Sequence, residues 1–185
     1  KTIDVAYIYG AKVYKAKERN RGLQLDMGAK NSNGEWLIFL HADTRLTHDW
    51  LTKIKSFLEE DKNFIYYFKF KVNDTKIIYR VLEILVNFRS KYLKQPYGDQ
   101  GLIIHKSIYL KNNGFKKIPL MEDIDFLRRL NNKKKLKQIN TPIFISSRKW
   151  ERTNIVIQSL KNWNFRRRWF KGESIKSIYS DYYRK

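Results

Sequence analysis

The 185-residue chain contains no cysteine, which excludes a disulfide scaffold, thiolate-bound zinc, an iron–sulfur cluster and thiol catalysis. Histidine is nearly as scarce. His41, His48 and His105 are the only three, too few for a histidine-rich metal site. With 8 glycines and 3 prolines there is no Gly/Ser/Pro-rich linker, and no internal repeat is visible, so one domain is the economical reading. No apolar run approaches the roughly 20 residues that span a bilayer; the longest, 36–40 and 84–88, are of core length. Nothing resembles a signal peptide, so the expected location is cytoplasmic, either free or peripheral on the inner face of the cell membrane. Acidic residues are outnumbered, 18 against 39 Lys and Arg, for a net charge of +21.

What is present supports a folded core: 42% of residues are hydrophobic and 15% aromatic, a composition that argues against disorder. The charge alone invites a nucleic-acid or membrane-surface partner. Two features weigh against taking it at face value. Lys, Asn, Ile and Tyr are all abundant, as A·T-rich coding would produce, and the cations are spread along the chain. No helix-turn-helix, RNA-recognition or zinc-finger signature accompanies them, so no specific nucleic acid is expected.

Strand-like and helix-like stretches alternate, which predicts an α/β or mixed sheet with covering helices. Residues 3–9 read as a strand and 21–33 as a helix stopped by Gly34. The apolar run 36–40 reads as a central strand buried on both faces, emptying into a polar turn at 41–44. Thr47 is placed to cap a helix carrying Trp50, Leu51, Ile54, Phe57 and Leu58. Alternation of Phe68, Phe70 and Val72 with Lys69 and Lys71 predicts a strand over 64–72. Ile78, Val81, Leu82, Leu85 and Tyr92 predict the buried stripe of a longer helix. A short strand at 101–104, a helix ending at Asn113-Gly114, a helix over 122–131 and a strand over 142–146 follow. From Thr153 onward the chain reads as helical, basic and aromatic.

Four segments carry candidate chemistry. A buried strand running into His41-Ala42-Asp43-Thr44 places a carboxylate at the carboxyl edge of a sheet, where open α/β folds bind ligands. Asp43 there either holds a divalent cation against a diphosphate or caps the following helix. Glu122, Asp123 and Asp125 crowd a helix N-terminus, either as functional anions or as ordinary first-turn acids. Tyr97-Gly98-Asp99-Gln100-Gly101 permits tight backbone geometry and presents polar side chains, or is a plain turn. Ser146 to Arg152 sets cations beside Trp150, suited to sugar stacking, phosphate contact or a surface cation–π pair.

In combination and in this order, these segments resemble glycosyltransferase family 2, inverting enzymes of GT-A fold, and within it a small bacterial subgroup. The residues that carry the likeness are Arg21-Gly22-Leu23-Gln24, Gly28, Gly34-Glu35, His41-Ala42-Asp43-Thr44, Gly98-Asp99-Gln100-Gly101, Pro119-Leu120-Met121-Glu122-Asp123 and Arg148-Lys149-Trp150-Glu151-Arg152. The resemblance implies an α/β GT-A (Rossmann-like) mixed sheet flanked by helices, lacking here its first βαβ portion. Residues 1–152 would be the catalytic domain and 153–185 a C-terminal basic aromatic helical segment. It implies transfer of a sugar from a nucleotide-diphosphate donor, a uridine-diphosphate sugar by default, to an acceptor hydroxyl with inversion, assisted by Mn²⁺ or Mg²⁺.

By matching position, the resemblance makes Asp123 the general base and Glu122 its support. Asp43 holds the metal, and His41 stands where relatives carry the first acid of an Asp-x-Asp pair. Arg21, Gln24, Asp43, Arg148 and Trp150 fall on the nucleotide and donor side, Asp99 and Gln100 on acceptor or sugar hydroxyls. A base carboxylate kept dry before catalysis would have a raised pKa suited to deprotonating a hydroxyl. Two departures stand out. Asp26 replaces an Asn of many relatives, and nothing in 1–15 matches the family's nucleobase-binding opening, which reads as a truncated domain. The alternatives are a catalytically inactive remnant that binds a sugar or partner, and a basic nucleic-acid-binding protein. The aromatic, cationic stretch 162–185 either packs on the catalytic domain or lies on an anionic membrane, which would suit a lipid-linked acceptor.

Overall fold

Ile65–Val72 is a run of β-branched and aromatic residues that can bury both faces, and it forms the middle strand of a five-stranded mixed sheet. A computed structural model of the chain describes residues 2–130, 135–151 and 154–184. Asn131, Arg152 and Thr153, and the side chains of Lys149 and Glu151, lie outside the described residues. The strands are β1 (Trp36–Phe39), β2 (Thr44–Leu46), β3 (Ile65–Val72), β4 (Leu102–His105) and β5 (Leu136–Ile145), in spatial order β1-β4-β3-β5-β2. β3 and β5 run parallel; the other pairs are antiparallel.

The helices are α1 (Thr2–Ile8), α2 (Arg21–Asn31), α3 (Trp50–Glu60), α4 (Ile77–Tyr92), α5 (Lys106–Lys111), α6 (Glu122–Arg129), α7 (Arg148–Glu151), α8 (Ile155–Phe170) and α9 (Ile175–Tyr183). Strand periodicity sorts the core into two layers. Ile65 and Tyr67 of β3 join Leu102 and Ile104 of β4 against Ala29 of α2, Tyr109 of α5 and Phe126 of α6. Tyr66, Phe68, Phe70 and Val72 point to the opposite face, where they meet Ile54 of α3 and Tyr79 and Val86 of α4. This is the mixed sheet flanked by helices that the alternating pattern implies.

Several local expectations are corrected. Residues 3–8 lie in helix α1, whose residues are all at least partly exposed, and Tyr9 is in the turn after it. No strand lies alongside them among the described residues, and a helix satisfies its own backbone where a lone strand cannot. Among the described residues β1 is an edge strand paired with β4 alone, and Trp36 and Ile38 are only half-buried. The polar turn after it leads directly into the short strand β2. β5 begins six residues earlier than expected, at Leu136. Its basic start hid it, and a register shift opposite Phe68 and Lys69 accommodates Pro142 within the ladder. α2 stops at Ser32 ahead of Gly34, and Asp49, not Thr47, holds the cap position of α3.

The largest correction concerns α4. Ile78, Val81, Leu85 and Tyr92 are exposed; the buried residues are Tyr79, Glu83, Val86 and Ser90. The reason lies in β3, whose ladder to β4 reaches only Tyr66, leaving the backbone of Phe70–Val72 without a strand on that side. Polar side chains of α4 fill the gap. Glu83 Oε1 accepts from Val72 N at 2.8 Å, and Asn87 takes both the N–H and the carbonyl of Phe70, at 2.9 and 3.0 Å. An unpaired buried backbone group is costly enough to turn the helix's polar residues inward.

α2 is set just as tightly. Asn20 caps it through Leu23 N at 2.9 Å, and Gly22 N donates to the Ile118 carbonyl at 3.1 Å. A Cβ on Gly22 would lie 1.9 Å from the Lys116 carbonyl oxygen. This approach joins the start of α2 to the segment entering α6. Gly22→Ala should therefore destabilise the fold by about 1–3 kcal/mol, measured as a lowered urea midpoint; an unchanged midpoint would show that the segment yields freely.

Candidate active site

The approach of α2 to residues 116–118 carries Arg21 onto Glu122, the first residue of α6. Arg21 Nη2 stands 2.9 Å from Glu122 Oε1. The Glu122 side chain is 1% exposed, and neither of its oxygens is a well-aligned hydrogen-bond acceptor. Burial pushes its carboxyl up to about 7, Asp123 adds to the rise, and Arg21 opposes it. The same Arg21 nitrogen lies 3.1 Å from His41 Nε2. A guanidinium only donates, so His41 Nε2 must accept, and the imidazole is neutral with its proton on Nδ1. Burial and the Arg21 charge both hold His41 below its ordinary pKa.

Asp123 is fixed by two backbone donors. Gly98 N donates to Oδ2 at 2.7 Å, and Ile124 N, one residue along α6, donates to Oδ1 at 2.8 Å. Each oxygen keeps lone-pair capacity for a further proton or hydrogen bond. The Gly98 contact demands a missing side chain: a Cβ there would stand 2.6 Å from His41 Nε2 and 3.2 Å from Asp123 Oδ2. Met121, just before α6, adopts a left-handed φ of 65°. Consecutive positions on a helix face about 100° apart, and here Glu122 points into the interior and Asp123 toward the cleft.

One cleft gathers most of the expected residues: Arg21, His41, Asp43, Asp99, Asp123 and Trp150 all line it. Asp43 is exposed at its mouth and also borders an adjoining polar depression with Arg45, Asn73, Ser146 and Arg148. Three expected residues are placed elsewhere. Gln24 lies on the exposed side of α2. Gln100 is fully buried, bonded to Ser90 and to the Phe68 carbonyl at 3.3 Å, and braces the loop from below. Arg148 reaches only the outer depression, beyond Asp43.

Sequence reasoning missed the wall opposite these residues. Asn162, Phe165 and Arg166 of α8 and Tyr182 of α9 line the cleft. Phe165, Trp169, Tyr179 and Tyr182 pack around Ile178 against Leu120, Met121 and Ile124, so this part of the C-terminal segment shares a core with α6. Tyr97 is sandwiched between Arg89, 3.9 Å from its ring centroid, and Arg166 at 5.1 Å. The interleaved aromatics and arginines of 162–170 were the available signal; packing on the catalytic domain was one of the two readings they allowed, but not a place in the cleft wall.

The implied divalent cation can be tested against these side chains. No three His, Asp or Glu residues converge into a metal-holding group among the described residues, and His41 Nε2 already accepts from Arg21. Mg²⁺ is often held by one or two carboxylates with substrate phosphates completing the shell. The exposed Asp43 carboxylate suits such a shared site, whereas a preformed protein cage would need more ligands.

The sequence model of Glycosyl transferase family 2 matches residues 4–172, a span that includes every cleft residue named above except Tyr182. No curated protein matches the chain significantly.

The raised Glu122 carboxyl has a thermodynamic consequence. Folded, it keeps its proton at pH values where the unfolded chain has lost it. The stability it contributes is therefore fully present below its ordinary 4.5 and is lost as pH rises through about 7. Relative to Glu122→Gln, the native chain should lose stability between pH about 5 and about 8. Urea unfolding of both proteins measures the difference, and a gap that does not change with pH would refute the assignment.

Proposed function

The chain belongs to glycosyltransferase family 2, and from that premise we propose that this cleft transfers a sugar, with inversion, from a nucleotide-diphosphate donor to an acceptor hydroxyl. The observation that carries the reading is the arrangement of Asp123 and Asp43 on one cleft, the first held by backbone donors and the second open at the mouth. Inverting transfer needs one base on the acceptor side of the anomeric carbon and charge stabilisation of the departing diphosphate on the other.

Asp123 takes the base role. Its two backbone hydrogen bonds set the plane of the carboxylate before substrate arrives, so little reorganisation is needed as the acceptor proton leaves. Glu122 and Arg21 act behind it. Their ion pair holds the first turn of α6 against the start of α2, and Arg21 keeps His41 neutral beneath Gly98. Asp99 presents its carboxyl group to the same cleft and suits sugar or acceptor hydroxyls. Trp150 offers an apolar ring face for the sugar. Asp43 would hold Mn²⁺ or Mg²⁺ jointly with the donor, and a bound cation there would neutralise charge on the leaving diphosphate. Arg148 and Arg45, in the adjoining depression, supply further positive charge on that side.

Asp123→Asn should lower kcat about 10²–10⁴-fold while donor affinity stays largely intact; donor titration by calorimetry and single-turnover transfer measure the two separately. Near-normal turnover in the purified variant would remove Asp123 from the base role. Gly98→Ala forces a methyl group against His41 and Asp123, and should cost at least about tenfold in kcat through misplacement of the base with the circular dichroism spectrum retained.

A further inference from the structure

From the outward face of α4 we infer a docking surface for an anionic lipid bilayer, separate from the catalytic cleft. α4 is inverted relative to an ordinary surface helix, because Glu83, Asn87 and Ser90 point inward to serve β3 and the Gln100 loop. Ile77, Val81, Ile84, Leu85, Phe88 and Tyr92 point outward, each between 49% and 83% exposed. Their spacing places them on one side of a 16-residue helix, a continuous apolar strip about 24 Å long. Among the described residues no core cluster includes this strip: the helix is held by its opposite face, through Tyr79 and Val86 in the core and the side chains that bond the β3 edge. Continuous exposed apolar surface of this kind marks an interaction site.

The charges beside the strip identify its occupant. Between α4 and the outer edge of β3 runs a groove whose walls combine Ile84, Phe88 and Tyr92 with Lys69, Lys71, Arg80 and Lys91. Among the described residues the one acid in that groove is Glu83, buried and already committed to Arg80 at 2.8 Å and to Val72 N. With Arg80 paired to Glu83, an apolar strip edged by Lys69, Lys71 and Lys91 complements anionic headgroups above acyl chains. A second copy of the chain fits poorly, since a two-fold contact would set this cationic rim against itself. Lying flat, α4 would also bring the cleft near the lipid, because Arg89 in its last turn stacks on Tyr97 at the cleft wall. Of the two readings of 162–185, packing on the catalytic domain describes Phe165, Trp169, Tyr179 and Tyr182, which turn inward on α6.

The test is co-sedimentation of the full chain with vesicles of phosphatidylcholine alone or of phosphatidylcholine mixed with phosphatidylglycerol. Binding should require the anionic lipid and weaken with added salt. Ile84→Ser with Phe88→Ser should reduce binding about tenfold or more. Lys69→Glu with Lys91→Glu should reduce it at least about fivefold per position, with an unchanged urea midpoint showing that the fold is intact. Trp163→Ser with Leu160→Ser, on the exposed side of α8, should leave most of the binding. Equal binding to both vesicle types, wild-type binding by both α4 variants, or loss confined to the α8 variant would overturn the proposal. So would light scattering that shows a dimer dissolved by the Phe88 change, which would make the occupant a second copy.

Discussion

A carboxyl group shut away from water must be compensated or neutralised, and Glu122 is held in that position by both means. Burial raises its pKa to about 7, while Arg21 supplies a cation 2.9 Å away. Much of the site follows from this pair. Arg21 can reach Glu122 only because Gly22 lets α2 approach the 116–118 backbone. With its other contact, the same guanidinium fixes the protonation state and orientation of His41. His41 in turn packs under Gly98, whose amide holds Asp123. Four segments far apart in sequence are thus joined through one buried charge, and such linked polar groups do not contribute independently.

The neighbouring carboxylate illustrates how one residue of spacing divides two tasks. Glu122 and Asp123 are consecutive, and the turn of about 100° per helical residue sends one inward and the other into the cleft. The outward carboxylate takes two backbone donors, Gly98 N and Ile124 N. Burial raises the inward carboxyl, Glu122, toward neutrality.

The positive charge is likewise distributed among separate tasks. Arg21 compensates a buried acid, Arg89 and Arg166 clamp Tyr97, and Arg168 ties Glu173 to Asp181 across the α8–α9 turn. Lys69, Lys71, Arg80 and Lys91 rim an apolar strip. A net charge of +21 is therefore poor guidance to a single partner, because its components act at distances of a few ångströms and salt screens the rest.

Much of the fold and most of the site were legible in the sequence. The alternation at 68–72 gave the correct burial of β3, and the segments around His41, Gly98 and Asp123 do meet in one cleft. Those signals are local: a strand's period, a glycine pair and carboxylates at a helix start each follow from the residues themselves. What the sequence by itself determined is therefore the element types and the chemical groups offered at their ends. The tertiary structure decided which way those groups face. α4 turns its polar residues inward because β3 leaves backbone unpaired there, and Gln100 sinks into the core to bond Ser90 and Phe68. α8 and α9 close the cleft because Ile178 and its aromatic neighbours have Met121 and Ile124 to bury against. Each outcome depends on a partner distant in the chain, and periodicity within one segment carries no information about what lies beside it in space.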